Sequence, residues 1–229
     1  MKSWRIVVVD DESLMAGALK LFLELADDLK VVGIASNGLQ AVSLCKQLRP
    51  DVVLMDLQMP VLDGVSATRR ITAEHPQIKV VVVTTFASPE AVVPALRAGA
   101  SGYLLKDSRP EEVVAAVHDV IQGRSPMSPK ITGALIETIR HGDPPSPPLI
   151  APTLSARDRE VLDRLAQGLG NTDMARELHI TESAVKSRIA QLMSKFEVAS
   201  RVQVLIRACE LGLVRPHLRS RTGEASAPD

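Results

Sequence analysis

The sequence predicts an α/β domain with a five-stranded, doubly wound parallel sheet, followed by a separate, smaller all-α domain. Three observations carry this. Short apolar runs alternate with helix-period stretches up to about residue 122. The runs 6–9 and 80–83 are unbroken Val/Ile, as strands buried on both faces require. From Thr153 onward only the helical period remains.

In chain order, strands are expected at about 4–9, 29–35, 52–55, 80–84 and 102–105. Helices are expected at about 13–26, 38–48, 64–74, 88–98 and 110–122. A further helix could span 129–140, with Ile131, Leu135, Ile136 and Ile139 near one face. Four prolines within His141–Pro148 then make a stiff, extended linker. Ser155 and Asp158 form a capping-box pattern ahead of Leu162 and Leu165. Asn171, Thr181 and Ser200 are candidate caps for the next three helices, 172–178, 182–196 and 201–211. The resulting organisation is 1–122, a linker over 123–152, 153–214, and a disordered tail over 215–229 rich in Pro, Ser, Gly and charge.

Composition narrows the class. With 229 residues, 45% apolar and 2% aromatic, the cores must be built from Val, Leu, Ile and Ala. No run of about 18 or more apolar residues is present, so no membrane helix and no membrane partner are expected. The N-terminus leads into a strand rather than a signal segment, and Cys45 and Cys209 lie far apart, both pointing to a cytoplasmic protein with reduced thiols. Residues 1–121 carry 12 Lys/Arg and 15 Asp/Glu, and residues 153–229 carry 12 and 10. An acidic front and a weakly basic back result.

Asp56 ends the apolar run Val52–Met55, and Asp10 and Asp11 end the run Ile6–Val9. Strand carboxyl ends are where parallel α/β sheets bind ligands. Three acids at two such ends are explained by a cation that removes their mutual repulsion. Thr84 ends the fourth strand and Lys106 follows the fifth, so four strands deliver polar groups to one sheet edge.

Asp10-Asp11, Asp56 with Met59-Pro60, Thr84, Gly99-Ala-Ser-Gly-Tyr103 and Lys106, in that order, resemble the receiver domain of two-component response regulators, with its flavodoxin-like fold. The resemblance implies that Asp56 is the phosphoacceptor for a sensor histidine kinase. It implies Mg²⁺ held by Asp10, Asp11, Asp56 and the backbone carbonyl of Gln58. Thr84 and Lys106 would then meet the phosphoryl group, with Thr84 and Tyr103 as the switch pair. Asp107 stands where many receivers have proline, a departure that bears on local geometry. Phe86, two residues past Thr84, is a candidate shield of the acyl phosphate from water. Aspartyl-phosphate enzymes place a second acid two residues after the nucleophile. Here that place is Gln58, so the chain is not expected to be an enzyme.

The back half has the short helix, brief turn and longer helix of a DNA-binding helix-turn-helix. Val185, Ile189, Leu192, Met193 and Phe196 form one apolar face, for packing. Ser183, Ser187, Ala190, Gln191 and Ser194 form a slim opposite face that could approach base edges. Lys186, Arg188 and Lys195 flank it, within reach of phosphates. Leu154–Leu162, Gly168–Asn171 and Ile180–Lys186 resemble the LuxR-type domain of the NarL/FixJ response regulators. That resemblance implies promoter DNA as partner, with Lys186, Ser187, Arg188 and Ala190 as main contacts, and Gln191 and Lys195 beside them. It also implies a homodimer after phosphorylation, with the last helix, carrying Val202, Leu205, Ile206, Cys209 and Leu213, in its interface. Glu197 replaces the glycine usual after the recognition helix, which implies a different turn or about 1 kcal/mol of strain.

Overall fold

The structure, a computed structural model, describes residues 3–85, 88–126, 152–167, 169–198 and 200–214. The expected helix at 129–140, the proline-rich linker, the tail after 214 and Phe86 lie outside the described residues.

The first domain alternates β1 (Trp4–Val9), α1 (Ser13–Leu23), β2 (Leu29–Ala35), α2 (Gly38–Leu48), β3 (Val52–Met55), α3 (Gly64–Glu74), β4 (Lys79–Thr84), α4 (Pro89–Arg97), β5 (Gly102–Leu105) and α5 (Pro110–Ile121). All five strands are parallel, in the order β2-β1-β3-β4-β5. Alternate strand residues face opposite helical layers, as a two-residue period demands. Ile6, Val8, Leu54, Val81 and Val83 pack on α1 and α5. Val7, Val9, Val53, Met55 and Val80 pack on α2 and α3. This is why the strands read as unbroken Val/Ile.

Helix α1 stops at Leu23, earlier than the expected 26, and turns through Glu24 to Ala26 with 3.2–3.4 Å backbone bonds to Phe22 and Leu23. Asn37 and Asp63 cap α2 and α3 by accepting from Gln40 and Ser66 backbone N–H groups.

The second domain comprises α6 (Ala156–Ala166), α7 (Asn171–Glu177), α8 (Glu182–Lys195) and α9 (Arg201–Glu210). Its core gathers Val161, Leu162 and Leu165 of α6, Met174 of α7, Val185, Ile189 and Leu192 of α8, and Val204 and Ala208 of α9. Ser155, Thr181 and Ser200 cap their helices, and Ser155 with Asp158 closes a reciprocal capping box. Asn171 is not a cap. Gly170 holds the cap position, and the Asn171 side chain donates instead to the Gln122 carbonyl at 3.1 Å.

Glu197 follows the Phe196 C-cap of α8 with φ 54°. Its N–H bonds Ser194 O at 3.2 Å and Val198 N–H bonds Met193 O at 2.9 Å. That is a Schellman ending. The glycine-type turn is therefore kept with a glutamate in it.

The two domains are packed together. Helix α9 splits its apolar residues: Val204 and Ala208 face its own core, while Val202 and Ile206 are buried with Val92, Val93, Leu96 and Tyr103 of the first domain. Arg97 pairs with Glu210 at 2.9 Å, Gln203 donates to the Arg97 carbonyl, and Arg201 donates to the Gly123 carbonyl.

Candidate functional site

Strand register assembles the acid site. Val9 is paired with Met55, so the residues that follow them, Asp10 and Asp56, emerge side by side. Asp56 N–H donates to Val9 O at 2.9 Å, pinning β3's end to β1. Thr84 is paired with Leu105, and Lys106 N–H donates to Thr84 O at 2.8 Å, which sets Lys106 next to the acids. Asp10, Asp56 and Thr84 are buried, and Asp11 is exposed at the rim.

Lys106 Nζ lies 2.8 Å from Asp10 Oδ2 and 2.9 Å from Asp56 Oδ2, with Glu12 Oε1 at 3.6 Å. Asp56 Oδ1 accepts from Leu57 N–H at 2.7 Å. Burial pushes the Asp56 carboxyl above its ordinary range, and Asp10 adds to this against the opposing pull of Lys106. Burial alone would lower Lys106, but its close charge contacts with Asp10 and Asp56 and its hydrogen bond to Asp56 outweigh that and hold the ammonium above its usual value. The site is thus a buried, charge-coupled cluster with one cation between two carboxylates.

Asp10, Asp11 and Asp56 each offer an oxygen within 4.8 Å of the others. Asp10 Oδ2 has the Lys106 charge beside it but no well-formed hydrogen bond among the described residues. Hard oxygen donors with a carboxylate excess suit a divalent cation such as Mg²⁺. The residues present therefore fit the metal that the sequence implied. Gln58 follows Asp56 closely enough for its N–H to approach Oδ1 at 3.4 Å.

Sequence reasoning missed Gly64. A Cβ there would stand 1.9 Å from the Asp56 carbonyl oxygen, so only glycine lets α3 start against the Asp56 backbone. The signal was the Asp63-Gly64 pair directly after the Met-Pro turn. Val61 in that turn holds φ 70° while exposed, a strained conformation for a β-branched residue.

Tyr103 is fully buried and turned inward, in the same apolar cluster as Val202 and Ile206 of α9. The ring thereby touches the cluster that joins the two domains.

On α8, Lys186, Ser187, Ala190, Gln191 and Lys195 are exposed and Arg188 is half-buried. Lys195 and Arg188 do not stand free. Lys195 Nζ meets Asp158 Oδ2 at 2.7 Å and Thr153 O at 3.1 Å, and Arg188 lies 3.6 Å from Asp158 Oδ1. Burial would raise Asp158, but hydrogen bonds and charge from Lys195 and Ser155 outweigh it, so its carboxyl falls to about 2. Lys186 and Ala190 face a cavity between the domains.

A parallel sheet with a Lys-bridged acid cluster at its carboxyl edge, joined to a helix-turn-helix, defines a response regulator with a DNA-binding output domain. Comparison with known proteins agrees. Residues 6–118 match the family described as response regulator receiver domain, and residues 152–208 match bacterial regulatory proteins of the luxR family. The transcriptional regulatory protein LnrK of Bacillus subtilis is 36% identical over 218 residues, covering 91% of this chain and 98% of its own. The nitrate/nitrite response regulator NarL of Escherichia coli K12 is 35% identical over 201 residues, covering 88% and 93%. The crystal structure of ChrA, the response regulator of a haem-sensing two-component system, is 33% identical, with a TM-score of 0.52 over 93% of this chain and 100% of that one. The chain belongs to the LuxR-type family of DNA-binding response regulators, and it is a transcription regulator rather than an enzyme.

Proposed function

We propose that this regulator is switched by phosphorylation of Asp56 and binds promoter DNA as a homodimer in its phosphorylated state. The observation that carries this is the Lys106 ammonium held between Asp10 and Asp56 in a buried pocket, one side of which is linked through Tyr103 to the domain interface. An Asp56 carboxylate oxygen attacks the phosphorus of a phosphohistidine on a sensor kinase. The new O–P bond forms as the P–N bond breaks, and the imidazole nitrogen keeps the electron pair. Mg²⁺ bound by Asp10, Asp11, Asp56 and the Gln58 carbonyl would neutralise charge on the transferring group. Lys106 leaves its bridge to pair with a phosphoryl oxygen, and the Thr84 hydroxyl donates to another.

Replacing the Asp56–Lys106 contact with a phosphoryl contact alters the packing around Tyr103, and hence the seat of Val202 and Ile206. The closed arrangement turns the still-exposed Lys186 and Ala190 toward the cavity beside the first domain and buries Val202 and Ile206 of α9. Opening clears the first domain from beside the recognition face, giving a duplex room to approach, and exposes the helix proposed for dimerisation. Ser187, Gln191, Arg188 and Lys195 complete the DNA face, the last two by leaving Asp158. Among the described residues no helix is long and apolar enough to cross a membrane. A cytoplasmic regulator acting on the genome accords with this.

The test is promoter binding and sedimentation with and without beryllofluoride and Mg²⁺, beside Asp56→Ala. Tighter binding and a dimer only in activated wild type support the switch. Equal behaviour of all samples overturns it.

A further inference from the structure

Beneath the N-terminal edge of the sheet, at the end away from Asp56, the two domains flank a half-open cavity of about 360 Å³. Lys79 opens β4 and Thr84 closes it, so at roughly 3.3 Å per residue about 17 Å of strand separates this cavity from the acid site. Four cations line it: Lys79 of β4, Arg124 after α5, Lys186 of α8 and Arg201 of α9. No carboxylate lines it among the described residues.

Among the described residues, only Arg124 has its charge answered, by Asp119 with Nε at 2.7 Å from Oδ1. Among the described residues Arg201 has neutral acceptors alone: the Gly123 carbonyl, Asn171 Oδ1 at 3.2 Å and the Leu169 carbonyl at 2.8 Å. Burial draws its guanidinium down to about 10, and burial lowers Lys79 as well. Lys79 and Lys186 have no ion pair among the described residues. Ser125 Oγ, also on the wall, is buried without a hydrogen-bond partner among them. The remaining wall sets an apolar stretch from Val120, Ile189 and Met193 beside the polar Ser101, Asn171 and Ser200.

Like charges gathered round one space repel each other, and the burial of Arg201 and Lys79 adds to that cost, unless an anion sits among them. Arginine and lysine heads with a spare hydroxyl suit a phosphoryl group, and the apolar wall suits an organic part. The volume is that of an ordinary small-molecule site. We infer that this cavity binds a small phosphorylated organic anion, of nucleoside-phosphate size, which bridges Lys79 of the first domain to Lys186 of the recognition helix. It is a second input to the regulator, independent of Asp56, and it holds the domains closed. The inference rests on the reading that α8 must leave this cavity to meet DNA. A ligand specific to the closed form and DNA specific to the open form oppose each other reciprocally. With ligand at ten times its Kd, the closed form gains about tenfold. Promoter affinity falls by up to the same factor.

The experiment is calorimetric titration of the full-length protein with ADP and with inorganic pyrophosphate in Mg²⁺-free buffer. Wild type, Lys79→Ser, Lys79→Arg and Ser125→Ala are compared, each with a thermal melt to verify folding. Expected are ADP binding tighter than pyrophosphate binding, at least a tenfold loss in Lys79→Ser, near-wild-type binding in Lys79→Arg, and a smaller loss in Ser125→Ala. Absence of binding by both anions overturns the inference. So does binding that all variants share equally, which would mark an adventitious anion. If Lys79→Ser does not fold, Ser125→Ala decides, and unchanged ADP affinity there counts against the site. Promoter binding by the beryllofluoride-activated, anion-free protein is measured in parallel. Its failure strikes the DNA-binding switch, whereas its success with no anion binding strikes only the cavity.

Discussion

Replacing Asp158 by Asn isolates one charge in the DNA-binding domain. The carboxylate is buried, accepts from Ser155 N–H at 3.0 Å, and meets Lys195 at 2.7 Å and Arg188 at 3.6 Å. Asparagine keeps the size and the acceptor for Ser155, so what is lost is the charge. The native carboxyl lies near 2 against an ordinary 3.8, and at about 1.4 kcal/mol per unit this is worth about 2 kcal/mol. Breaking a fully buried pair costs more, about 3–5 kcal/mol. The lower figure applies because Lys195 and Arg188 are 37% and 39% exposed and can turn to water. Urea denaturation read by hydrogen exchange in α6–α9 should show the midpoint falling by about 1–2 M. Because the folded carboxyl is depressed, its stabilisation is present above about pH 4 and is lost as pH falls toward about pH 2. The difference between wild type and variant must shrink across that window. A difference that stays constant with pH, or is absent at neutral pH, refutes the ionic account.

Glu197→Gly should stabilise the same domain by about 0.5–1 kcal/mol. Removing the left-handed cost of about 1–2 kcal/mol outweighs glycine's extra unfolded-state entropy; a lower melting temperature would contradict this. Ile206→Ser removes a side chain buried between the domains, worth about 1.5–3 kcal/mol, and should shift the closed population about tenfold or more. Small-angle scattering of the unphosphorylated protein should then show a larger radius, and an unchanged radius would mean that α9 does not hold the domains together.

Much of this protein was legible without coordinates, for a physical reason. Strand period, helix caps and turn residues act over a few positions, so Val/Ile runs, Ser155, Thr181 and Ser200 announce their elements locally. The acids of the candidate site were equally visible, because a parallel sheet brings the ends of its strands to one edge. Glu197 was recognisable as out of place; that the turn keeps its left-handed form, held by two backbone bonds, required the structure. Other features depended on partners far away in the chain. Nothing near Asn171 says that its amide will reach Gln122, and nothing in α9 says that Val202 and Ile206 will face the first domain while Val204 faces its own. Lys195 read as a free cation until Asp158, 37 residues earlier, came to lie against it. Local rules decide which face of an element is apolar or charged. Only the packing of whole elements decides what that face meets, because those contacts join residues whose separation along the chain carries no pattern.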